Sequence, residues 1–170
     1  MRFSTILVVL VLLCNTALRA QDVPLTLPIQ GKVFNAERKL PGCEVITFKG
    51  NERIDTQVTD RGGRFQMEFG MGEEYAIEFR MEGFLPKRIL VDTRAELPKD
   101  IGWIVPLAMT MSMLPSSKYE GADTDALDFP FAIVRYDSRA RAFLQNNEYT
   151  ADMMRTNGAL LLMSGRSEKR

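Results

Sequence analysis

Met109, Met111 and Met113 alternate with Thr110 and Ser112. On an extended strand that spacing sets three thioethers on one side, and soft thioethers are ligands suited to Cu(I). The chain has ten methionines and no histidine, so no imidazole stands ready to complete such a site. The same residues serve equally as a flexible apolar face that fills a core, which is the simpler use of them. Cys43 alternates with Val45 in a strand-like run. Without a histidine base it reads as a small buried hydrophobe and not as a catalytic thiolate. Glu73 and Glu74 supply two carboxylates, but glycoside hydrolysis needs acids facing one another across a bond. Neighbouring residues of a strand point to opposite faces, so this pair marks a solvated hairpin end. Trp103 and Tyr119 are candidates to stack on a sugar, yet Trp103 lies beside Ile101, Ile104 and Val105 and reads as a core residue.

The acidic stretch with Glu120, Asp123, Asp125 and Asp128 has the residue types of a calcium loop. An EF-hand needs Gly at its sixth place and Glu at its twelfth. Counting from Asp123 gives Asp128 and Val134, so the pattern fails and the acids read as a solvated connector. The absence of histidine also removes triad hydrolases and His-zinc peptidases. Lys plus Arg and Asp plus Glu are each 22, which gives no broad electrostatic footprint for nucleic acid. No catalytic, cofactor-binding or metal-ligating residue is assigned, and the expectation is a protein that is not an enzyme.

The elements that must position these residues are short strands. With 170 residues, 45% hydrophobic and 26% charged, the chain has the balance of one folded core plus a short appendage. From Ile29 onward, apolar and polar residues alternate and glycine turns recur at intervals near ten residues, as in an all-β sandwich or barrel. Strands are expected at 29–34, 43–49, 53–59, 64–69, 75–80 and 87–91, with a seventh within 102–113. Three sets, Ile54/Thr56/Val58, Phe65/Met67/Phe69 and Tyr75/Ile77/Phe79, are each expected to face the core. Gly62 with Gly63 reads as a turn; a phosphate loop would need a helix to follow it, whereas Arg64 to Phe69 reads as a strand.

The N-terminus has the layout of an export signal: Arg2, an apolar run from Ile6 to Cys14, then Leu18, Arg19 and Ala20. Cleavage is expected after Ala20. The nine-residue apolar run falls short of the roughly 20 residues that span a bilayer. Leu13 occupies the place where a small residue usually precedes a lipidated cysteine, which disfavours lipidation at Cys14. Removing 1–20 takes away Arg2, Arg19 and Cys14 and no acid, which leaves a net charge of −2 and Cys43 alone. The exported protein then has no internal disulfide to staple its core.

Several spaced motifs of this region resemble the carboxypeptidase regulatory-like domain. They are Gly31-Lys32-Val33; Leu40-Pro41-Gly42 before Cys43 and Val45; Thr59-Asp60 with Gly63 and Phe65; and Gly72 through Tyr75 leading to Gly83-Phe84. The resemblance covers about 27–113. It implies a seven-stranded, transthyretin-like Greek-key β-sandwich and a noncatalytic accessory role in the bacterial envelope. Each motif residue also has a physical use: Asp60 caps the turn, Gly63 takes a left-handed angle and Phe65 returns the chain to the core. Cys43 stands where the family usually has Ala.

Beyond Met113, residues 114–170 read as a connector, an added edge strand or extended arm over Phe129 to Tyr136, and a helix. Tyr149, Met153, Thr156 and Leu160 fall at helical spacing, with Asn147 as N-cap and an end near Met163. Gly158 weakens that helix. The functional expectation is an exported envelope adaptor, in the periplasm, associated with the outer membrane or secreted, that contacts another envelope protein through sheet edges or its C-terminal arm. The alternative is a carbohydrate-binding accessory module that takes a glycan. Neither nucleic acid nor a membrane span of the mature chain is expected.

Overall fold

The computed structural model describes residues 24–36 and 38–167. The expected export signal, with Cys14, lies outside the described residues.

Among the described residues, ten strands form two sheets. The small sheet joins β1 (Thr26–Asn35), the two-residue β2 (Arg38–Lys39), β5 (Arg64–Gly70) and β8 (Leu107–Met113). β1 is antiparallel to β5 and parallel to β8. The large sheet runs in the order β10 (Ala142–Gln145), β9 (Ala132–Asp137), β7 (Lys87–Asp92), β6 (Glu74–Arg80), β3 (Glu44–Lys49) and β4 (Glu52–Val58). Its pairs are antiparallel except β7 with β9.

The architecture is a mostly-β sandwich with one C-terminal helix. All seven strands expected before residue 114 are present, β2 adds two residues, and the segment left open as edge strand or arm is β9. β10, which is not among the expected strands, follows it. The signal was present: Asp137 Oδ1 accepts the amides of Arg139 (2.9 Å) and Ala140 (2.8 Å), a turn that reverses the chain.

Alternation decides what each strand buries. Leu27, Ile29 and Val33 of β1, Phe65 and Phe69 of β5, Tyr75, Ile77 and Phe79 of β6, and Met111 and Met113 of β8 meet in one core with Cys43 and Val45. Burial pushes the Cys43 thiol up to about 11. The Ile54/Thr56/Val58 set does not join them: Ile54 is 47% and Val58 59% exposed. Val45 faces the core and pairs with Gln57, so the parity of β4 sends Thr56 and Val58 to the outer face.

Two polar devices hold the strand connections. Thr59 Oγ1 accepts from the Cys43 amide at 2.9 Å and donates to the Leu40 carbonyl at 2.7 Å. Asp60 Oδ1 accepts the amides of Gly62 (2.7 Å) and Arg64 (2.8 Å), which holds its carboxyl below the usual range. Gly63 there has φ +68°, and a Cβ on it would lie 2.6 Å from the Val33 carbonyl oxygen. The expected roles of Asp60, Gly63 and Phe65 thus match their geometry.

Helix α1 (Asn147–Ser167) extends past the expected end near Met163. Its cap is Asn146 and not Asn147: Asn146 Oδ1 accepts from the Tyr149 amide at 3.0 Å. Met153 and Thr150 are buried in its docked face. Tyr119 donates to Asn157 Oδ1 at 2.5 Å, Tyr149 to the Pro130 carbonyl at 2.6 Å, and Ser164 to the Lys118 carbonyl at 2.7 Å. No helix among the described residues is long and apolar enough to cross a membrane.

Candidate functional site

The candidate site is a corner of the sandwich where two strand edges approach one another. Among the described residues β8 pairs only with β1 and β10 only with β9. Between them opens a cleft of about 300 Å³ lined by Ile89, Leu107, Met109, Val134, Phe143 and Leu144, among others. Ile89, Val134 and Phe143 belong to the core, so the cleft floor is the edge of the sandwich interior. Leu144 stands at its rim with 46% exposure. An incomplete sheet corner of this kind offers main-chain hydrogen-bonding groups on strand edges and apolar side chains between them.

Lys87 shares the inner face of β7 with Ile89 and Val91. Its Nζ donates to the Ser112 carbonyl on β8 at 2.6 Å and lies 4.2 Å from the Phe131 ring centroid. Burial lowers its pKa to about 8.

The sequence-derived candidates are dispersed. Met111 and Met113 are buried and Met109 packs against the same core, so the thioethers are occupied in packing. Glu73 pairs with Lys49 at 2.6 Å and Glu74 with Arg94 at 2.5 Å. Arg94 also grips Asp92, which holds that carboxyl below its usual range. Glu78, buried on the outer face, is held by Arg80 (2.5 Å) and Arg88 (2.7 Å). Among the described residues no group of three or more Cys, Asp or Glu is placed to hold a metal ion.

Trp103 is a correction. It is 68% exposed, not a core residue, because the neighbouring Ile104 takes the buried position (5%) and anchors the loop between β7 and β8. Val105 beside it is also exposed. Tyr119, by contrast, is buried against the helix.

No family model matches the chain, and no curated protein matches it. Solved structures resemble parts of it at low identity. The Bacillus anthracis TIE protein is 10% identical over 54% of this chain and 18% of its own, with a TM-score of 0.43. The 3-chlorocatechol 1,2-dioxygenase of Rhodococcus opacus 1CP is 11% identical over 57% of this chain and 62% of its own, with a TM-score of 0.40. The group B streptococcus pilus 2b backbone protein is 10% identical over 52% of this chain and 40% of its own, with a TM-score of 0.35. The chain spans less than two thirds of each of these proteins, and none of the likenesses assigns a role to a residue.

Proposed function

We propose that the chain is an exported, noncatalytic β-sandwich of the carboxypeptidase regulatory-like, transthyretin-like type that acts as an envelope adaptor. The observation that supports this reading is the cleft between β8 and β10. A partner strand laid along β8 would gain main-chain hydrogen bonds, and its alternate side chains would enter the gap over Leu107 and Met109. A photocrosslinking residue at exposed Ala108, in the native envelope, should capture one discrete partner that the same residue at Arg53 does not. Equal capture at both positions, or none at Ala108, would sink the adaptor reading. Export predicts a mature chain that begins at Gln21, which N-terminal sequencing reads directly.

The exposure of Trp103 favours a second reading, a carbohydrate-binding module, because an indole presented to solvent beside Val105 offers an apolar platform for a sugar ring. Saturable binding on a glycan array that Trp103→Ala abolishes would select it. Turnover of peptide or glycan panels would instead mark a hydrolase.

A further inference from the structure

The outer face of the small sheet brings two cations side by side. The side chains of β1, β5 and β8 that alternate with the core set stand in rows across the sheet, and Pro28 with exposed Glu68 forms a row beyond the two that carry Lys32 and Gln30. The register places Arg64, Lys32 and Thr110 in one row and Gln66, Gln30 and Ala108 in the next. All six residues are exposed. They line the floor of a trough of about 890 Å³ walled by Gln57 and Asp60.

Lys32 and Arg64 are direct cross-strand partners. Like charges directly opposite one another destabilise a sheet, and neither cation is in an ion pair among the described residues. Arg80, Arg88 and Arg94 of the large sheet and its margin, by contrast, each lie within 2.8 Å of a carboxylate. Asp60, the acid of the trough wall, spends its Oδ1 on the amides of Gly62 and Arg64 and feels the Arg64 charge nearby without forming an ion pair with it. Gln57 Oε1 accepts from the Gln66 amide at 3.3 Å, which closes the β5 edge beneath the wall.

We propose that this trough binds a carboxylated polysaccharide, with one uronate carboxylate shared by Lys32 and Arg64 and the hydroxyls of the adjoining sugar met by Gln30, Gln66 and Thr110. A shared anion relieves the repulsion between the two cations. Amides and hydroxyls both donate and accept, as sugar hydroxyls do. Successive rows on one face of a strand are about 6.8 Å apart, two residues of rise, so an extended polymer engages both rows together. The charge is sparse, two cations and the Asp60 carboxylate beside neutral polar groups, which fits one carboxylate per sugar better than the dense charge of a nucleic acid or an acidic peptide. Trp103 is not among the lining residues, so this site is separate from the loop of the second reading above.

The test is calorimetric titration of the full chain with oligogalacturonate, oligoalginate and hyaluronan fragments. Fully methyl-esterified oligogalacturonate and polyglutamate serve as comparisons. At least one acidic glycan should bind saturably and more weakly as salt is raised. Lys32→Gln and Arg64→Gln should each weaken it about tenfold, the scale of one charge-assisted hydrogen bond, with the melting temperature of the free protein equal to wild type or higher because the repulsion is gone. Trp103→Ala should leave it intact, which separates this site from an indole platform. Absence of binding to all three glycans, equal binding of the methyl ester or of polyglutamate, or indifference to both substitutions would overturn the proposal.

Discussion

The Lys87 ammonium crosses from the inner face of β7 to the Ser112 carbonyl of the opposing sheet, 2.6 Å away, beneath the ring of Phe131. A cation inside a sandwich is held here by one carbonyl and one aromatic face, interactions weaker than an ion pair with a carboxylate. The position ties β8 to the large sheet at the end away from the open corner. It also gives the protein a pH dependence with a defined sign.

In the folded chain Lys87 titrates near 8, against an ordinary 10.5. Between those values the unfolded chain binds more protons, so stability rises with pH through the window and is lost as pH falls toward 8. The rise is on the order of 2–3 kcal/mol. Cys43, raised from 9.0 to about 11, acts in the opposite sense because the folded thiol keeps its proton longer. Urea midpoints at pH 7.5 and 10 should therefore climb less steeply, or fall, in Lys87→Met, and climb more steeply in Cys43→Ala. Identical slopes in wild type and Lys87→Met would refute the assignment.

Gly31 sits opposite Phe65 on the neighbouring strand. A Cβ there would lie 2.4 Å from the Phe65 ring and 2.9 Å from Met109 Cγ. Gly31→Ala should destabilise the fold by about 1–3 kcal/mol through overpacking. Phe65→Leu in the same background should recover part of the loss, measured by equilibrium denaturation. A fully additive double variant would show that the two positions do not share the space.

Adjacent residues of the β7–β8 loop should respond in opposite ways. Trp103→Ala removes an exposed side chain and should shift stability by less than about 0.5 kcal/mol. Ile104→Ala empties a buried site and should cost about 2–5 kcal/mol. Thermal melts of the pair check both, and a large loss in Trp103→Ala would return the indole to the core.

Strand positions were legible because alternation at period two survives wherever one face of a strand is buried. Which face it is depends on register. Thr56 and Val58 share a face as their spacing says, yet the pairing of Val45 with Gln57 turns that face to solvent, and Ile54 sits at a bulge of the strand. At Trp103 local hydrophobicity misled, since the loop has room for one anchor and Ile104 fills it. Asn146 and Asn147 are chemically equal caps, and only the backbone path chooses between them. The candidate surfaces were not legible at all. The β8–β10 cleft and the Lys32–Arg64 juxtaposition both join residues at least 30 positions apart, and no local spacing reports such neighbours.

β9 runs parallel to β7 and meets Leu90 with Ile133 and Val91 with Val134, although β8 and a long connection intervene in the chain. Pairings of such long sequence separation form late, after the loop-closure entropy has been met. A ribosome must therefore release the chain through Asp137 before β9 can join the wide sheet, and until then the main-chain edge of β7 stays open to chaperones and to misassociation.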